Sequence, residues 1–92
     1  MTNVHLNGHI DVPTDRLDAV SAALAMHITL TRAEAGCISF EVTPDPKIAG
    51  RFNVSECFVD QAAFDQHQLR TKNSAWAEIT DGIPRDYVIT KG

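Results

Sequence analysis

The feature that most limits how this chain can fold is the order in which its hydrophobic period changes. The first segment, NVHLNGHIDV, alternates strictly: Val4, Leu6, Gly8, Ile10 and Val12 fall on one side, His5, Asn7, His9 and Asp11 on the other. A period of two predicts a strand with one buried face. After Pro13, Thr14 and Asp15 the spacing becomes helical, with Leu17, Val20, Leu24, Ile28 and Thr31 in one stripe and Gly36 as the expected stop. CISFEV and RFNVSECFV return to period two around the turn-rich TPDPKIAG. Asp60 is suited to cap a second helix running to about Arg70, and Asn73 to cap a short third one containing Trp76 and Ile79. Gly82 and Pro84 end that helix, and RDYVIT reads as a last strand.

Strand, helix, strand, strand, helix, short helix, strand is the order of a ferredoxin-like split βαβ fold: α+β, with an antiparallel sheet and helices on one face. The 92 residues give room for one domain, and residues 1–92 are read as such. No further segment is left to cover the second face of the sheet. A two-fold homodimer is the economical expectation for so small a core.

The alternation also predicts a register for the central hairpin. Ile38, Phe40 and Val42 are expected opposite Glu56, Val54 and Phe52, and Cys37, Ser39 and Glu41 opposite Cys57, Ser55 and Asn53. Facing cysteines invite a disulfide, but the pair is strained on neighbouring strands, and two small inert thiols are the expected state.

Composition narrows the function classes. The net charge is −4 and no run of Lys or Arg occurs, which argues against a nucleic-acid partner and against a polybasic membrane contact. The N-terminus lacks the basic start and apolar stretch of a signal peptide, and no window is apolar enough for a membrane span. The expected location is the cytoplasm, with reduced thiols. Two cysteines with nineteen residues between them make no zinc pattern, and no flavin or metal motif is present, so no metal and no cofactor are expected.

Two polar residues stand where apolar ones are expected. Glu56 shares a strand face with Val54 and Phe58, and His67 follows Ala63 and Phe64 on the inward side of the second helix. A buried carboxylate must be paired, hydrogen-bonded or protonated. Either both are satisfied core groups, Glu56 held across a subunit boundary and His67 by a carbonyl or by Glu56, or they line a cavity.

EAGCISFEV, the hairpin, and FNVSECFVDQAAFDQH followed by Thr71 resemble the antibiotic biosynthesis monooxygenase family, the small cofactor-free quinol monooxygenases and their relatives. The matching positions are Glu34, Gly36, Cys37, Phe40, Glu56 and His67. The resemblance implies a dimeric α+β barrel with a cleft between sheet and helices in each subunit. It further implies oxidation of a small phenol or hydroquinone by dioxygen.

On that reading His67 is the base that removes a phenolic proton, and Asn7 holds a substrate or peroxide oxygen. Trp76, Phe40 and Phe64 form apolar wall, with His9 and Tyr87 as further contacts and Glu56 as a structural or orienting group. Each has a plainer alternative: Asn7 and His9 on a solvated strand face, Trp76 and Tyr87 in ordinary packing. His27 and His5 are read as boundary or surface histidines. The family is functionally mixed, and an acid–base isomerase of a small carbonyl compound or a non-catalytic ligand-binding dimer would use the same residues. Haem-degrading relatives take an axial His from the segment after the second helix. Here TKNSAWAEITDG has none, which argues against that branch.

Overall fold

The computed structural model describes residues 2–92. Its elements are β1 (Val4–Asp11), a 3-10 turn (Thr14–Arg16), α1 (Leu17–Arg32), β2 (Cys37–Pro44), β3 (Arg51–Phe58), α2 (Gln61–Lys72), α3 (Ala75–Ile79) and β4 (Arg85–Lys91). The strands form one antiparallel sheet in the order β2-β3-β1-β4. This is the α+β ferredoxin-like arrangement that the periods predict.

The helices lie on the apolar face. Val4, Leu6 and Ile10 of β1, Phe40 and Val42 of β2, and Phe52, Val54 and Phe58 of β3 are all buried. They meet Val20 and Leu24 of α1 and Phe64 of α2 in one core. On the other face Asn7, Ser39, Glu41, Asn53 and Ser55 are exposed. One face is packed and the other is open, as alternation requires.

The hairpin register departs from the expected one by two residues. Phe40 stands opposite Glu56, Val42 opposite Val54, and Glu41 opposite Ser55. A two-residue slip keeps every side chain on its predicted face, so the hydrophobic pattern could not detect it. A bulge between Cys37 and Ser39 takes back one residue of the offset and turns Ile38 outward, where it is exposed instead of joining the greasy face. The turn supports the same register. Asp45 accepts hydrogen bonds from the Lys47 and Ile48 amides and from Asn53 Nδ2, and its own amide donates to the Arg51 carbonyl. Cys37 therefore faces Phe58 and Cys57 faces Ser39; both thiols are free.

Helix ends differ in detail. Asp60 caps α2 as expected, its carboxylate accepting from the Ala63 amide at 2.8 Å. The cap of α3 is Ser74 instead of Asn73, and α2 runs on to Lys72. Gly36 does not end α1 in a left-handed turn, since α1 stops at Arg32 and the residues with positive φ are Gly50, Gly82 and Gly92. Its role is close approach: a Cβ there would lie 2.3 Å from the Cβ of Ala63 in α2.

Gly8 serves a similar purpose in the sheet. A Cβ on Gly8 would lie 1.9 Å from the Asp86 carbonyl oxygen and 2.8 Å from Cδ1 of Tyr87. The missing side chain is what lets β4 pair closely with β1 and the Tyr87 ring lie across it. The first contact is with backbone, so no rotamer change relieves it. Gly8→Ala is expected to cost about 2 kcal/mol, read as a lower urea midpoint at unchanged m-value.

Candidate functional site

The site is built where α2 crosses β3. On α2, Phe64, His67 and Thr71 follow one another on the sheet-facing side, and His67 is only 2% exposed. Its ring lies over Phe58, with centroids 4.8 Å apart. Nδ1 donates to the carboxylate of Glu34, at 3.1 and 3.2 Å from the two oxygens. Glu34 comes from the turn after α1 and is itself held by Arg70 Nε, while Arg70 Nη2 donates to Thr31 Oγ1 at 2.9 Å. Arg70 is three residues beyond His67, so α2 carries both the imidazole and the cation that anchors its acceptor. The bond to Glu34 puts the proton on Nδ1 and leaves the Nε2 lone pair outward.

Nε2 has only long contacts, 3.6 Å to Glu56 Oε1 and 3.5 Å to Thr71 Oγ1. Glu56 sits on β3 between Val54 and Phe58, with Leu6 of β1 and Phe40 of β2 opposite it. Its Oε1 is buried and has no hydrogen-bond partner. Burial, and after it the negative charge of Glu34, push the Glu56 carboxyl up to about 7. Burial moves His67 the other way, below the ordinary imidazole value, with the Glu34 hydrogen bond opposing that shift. Glu34, His67 and Glu56 thus stand in line.

His67 and Glu56 form one wall of a cavity of about 60 Å³, with Glu34 behind His67. Phe40, Trp76 and Tyr87 supply aromatic wall, and Leu6, Ile10 and Val54 the apolar floor. Burial raises the Tyr87 phenol to about 12, so it stays protonated. Room on this scale holds a few waters, whereas a benzene-sized ligand occupies cavities of about 150 Å³. Gln68, Thr71, Trp76 and Arg85 border both this cavity and a wider groove of about 560 Å³ beyond it. A ring entering from the groove would set one edge in the cavity and leave the rest between α2, α3 and the start of β4.

Of the expected site residues, His67, Glu56, Phe40, Trp76 and Tyr87 come together here. Phe64 packs edge-on against Phe58 in the core and does not border the cavity. Asn7 and His9 are on the opposite face of the sheet. Asn7 is exposed, and His9 lies 3.8 Å from the Asp11 carboxylate. The helices cover the apolar face, so the small polar residues expected beneath them look outward.

Two residues belong to the site that the sequence reading left aside. Glu34 stood only in the family pattern, and its turn position says nothing of direction. His27, read as a boundary residue, is buried. Its ring stacks on Trp76 at 4.7 Å and 3°, and meets Phe40 edge-on at 5.3 Å. The signal was there: His27 falls three residues after Leu24 and four before Thr31, on the buried stripe of α1. Among the described residues no group of three His, Cys, Asp or Glu side chains is placed to hold a metal ion, and no helix is long and apolar enough to cross a membrane.

Residues 3–78 match the family model for antibiotic biosynthesis monooxygenase, and the chain belongs to that family. Comparison with curated protein sequences finds no match. Among solved structures, the fold is similar to a putative antibiotic biosynthesis monooxygenase from Nitrosomonas europaea, at 23% identity and TM-score 0.79, covering 99% of this chain and 89% of that one. A protein from Shewanella oneidensis aligns at 25% identity and TM-score 0.74, with coverage of 99% and 89%. A protein from Bacteroides thetaiotaomicron, described as a possible oxidoreductase, aligns at 16% identity and TM-score 0.73, with coverage of 99% and 96%.

Proposed function

We propose that this protein is a cofactor-independent monooxygenase that oxidises a small phenol or hydroquinone with dioxygen. The observation that carries the reading is the Glu34–His67 hydrogen bond beside the buried Glu56, which leaves His67 Nε2 with only long contacts on the wall of a cavity lined by aromatic, aliphatic and polar side chains. His67 takes the phenolic proton, and Glu34 stabilises the imidazolium that forms, held in turn by Arg70. The resulting anion gives an electron to dioxygen far more readily than the neutral ring. Superoxide and semiquinone then combine, and the hydroperoxide loses water. For a hydroquinone the balance is one ring and one O2 in, one hydroxyquinone and one water out. The protein's share is to deprotonate, orient and keep bulk water away.

The open face of the sheet, with Asn7, Ser39, Glu41, Asn53 and Ser55 exposed, supports a homodimer in which two sheets face each other. Domain extent 1–92, a cytoplasmic location, and dioxygen with a small aromatic as the substrates complete the proposal.

A second reading is favoured by one observation. A carboxyl poised near neutrality beside an imidazole is also equipped for proton shuffling on a small carbonyl compound without oxygen. Oxygen uptake with a panel of hydroquinones separates the two. Enzyme-dependent uptake that incorporates one atom of labelled dioxygen into product supports the monooxygenase. Turnover of hydroxy-carbonyl compounds that persists under nitrogen, with no uptake on any hydroquinone, overturns it.

A further inference from the structure

At the mouth where the cavity meets the wider groove stands an exposed cation without a counter-ion, Arg85. The other arginines are engaged. Arg32 pairs with Glu41, Arg51 with Asp11 and Arg70 with Glu34, while Arg16 donates to the carbonyls of Ile79 and Asp81. Arg85 makes one hydrogen bond, from Nη2 to the Thr80 carbonyl at 3.1 Å, and no ion pair among the described residues. The sheet register says which way it points. Arg85 is paired with Ile10, a buried residue of the helix-covered face that borders the cavity. Directly opposite residues share a face, so the Arg85 side chain also leaves the sheet on the helix side. Two residues along the same row, burial raises the Tyr87 phenol and the nearby Arg85 charge opposes that rise. The bond to Thr80, at the end of α3, therefore holds the guanidinium between the Tyr87 side of the cavity and the groove, with Nε and Nη1 unclaimed. Lys72 and Arg85 against Asp81 leave the groove one positive charge, on a chain whose net charge is −4.

We infer that the ligand is a phenolic acid and that Arg85 is the specificity-determining residue that takes its carboxylate. The hydroxyl edge of the ring occupies the cavity facing His67, and a substituent on the far side of the ring then lies in the groove. A planar guanidinium matches a carboxylate with two parallel hydrogen bonds. A carboxylate kept at the mouth stays in contact with water, so most of the desolvation cost of a buried ion pair is avoided. Because water and salt reach the pair, the preference for acid over neutral isostere is set at the low end for a charged hydrogen bond, about tenfold. The inference rests on the cavity being the phenol site proposed above, and not on the oxygen chemistry.

Binding is therefore measured without turnover, by calorimetry under nitrogen at neutral pH. The probes are 4-hydroxybenzoate and 4-hydroxyphenylacetate, each against its own neutral amide. Wild-type protein is expected to bind at least one acid about tenfold more tightly than the amide of the same shape. Added salt shrinks that preference and leaves the amide unaffected. In Arg85→Gln, which keeps a donor for the Thr80 carbonyl, the acid falls to the level of the amide while amide affinity and melting temperature are unchanged. Arg85→Lys, which keeps the charge without the fork, retains part of the preference. Wild-type protein that binds no probe, or binds acids and amides equally, overturns the proposal. So does an Arg85→Gln variant that keeps the preference, or that weakens acid and amide in parallel, which marks a role in holding α3. Failure here with oxygen uptake intact removes only the role of Arg85. Failure of the oxygen chemistry leaves this binding test standing.

Discussion

His67→Gln is expected to lower kcat for hydroquinone oxidation by about 10²–10⁴-fold, with little change in KM. Glutamine keeps a donor for Glu34 and fills most of the same space, so Phe58 and the α2 packing stay in place. What it cannot do is accept a proton at the position of Nε2. Single-turnover oxidation under air, with folding checked by circular dichroism, reads the effect. A variant that retains wild-type kcat would assign deprotonation to another group or to solvent. Glu34→Gln tests the positioning role separately. The imidazole stays but loses the charge that stabilises its cation, and a smaller loss of about tenfold is expected, with the acid limb of the pH profile displaced downward.

The second large effect is on stability, and its sign follows from Glu56. In the unfolded chain a glutamate loses its proton near 4.5, whereas in the fold Glu56 keeps it to about 7. Between those values the native state holds a proton that the unfolded state has released. Stability therefore falls as pH rises through this window, and the full penalty is present above about 7. A displacement of this size corresponds to about 3 kcal/mol. Glu56→Gln has no such penalty, so the variant should gain on wild type from pH 4.5 upward and level off above pH 7. His27 works in the opposite sense. Its imidazole is kept neutral down to about 4, so stability is lost as pH falls from 6.5 towards 4. That contribution is common to both proteins, and the difference between their urea unfolding curves isolates Glu56. A difference independent of pH would mean that Glu56 is ionised in the fold at all these values, through a partner outside this chain.

The fold was legible in the sequence because period is local: the alternation in NVHLNGHIDV and the stripe of α1 need no tertiary knowledge. The hairpin offset was not legible, since a two-residue slip leaves every face unchanged and only the bulge at Cys37–Ser39 records it. His67 and Glu56 were visible as polar residues at apolar positions. Which side of the sheet Asn7 would serve was not legible, because a strand's polar face looks the same whether a helix, a partner or water covers it. His27 was overlooked although it sits on the buried stripe, and Glu34 was invisible as a site residue because a turn position carries no direction. Periodicity says which side a residue faces. Convergence of α1, β3 and α2 on one point is set by tertiary packing and is absent from any single segment.

The central claim is that this cavity takes a proton from a phenol. The most direct measurement is the visible spectrum of 4-nitrocatechol bound to the protein under nitrogen, at a pH where the free compound is mostly neutral in water. The phenolate band should appear on binding to wild-type protein and should be absent with His67→Gln at equal occupancy. A nitrocatechol that binds wild type and stays neutral, or that ionises equally well in the variant, would contradict the account.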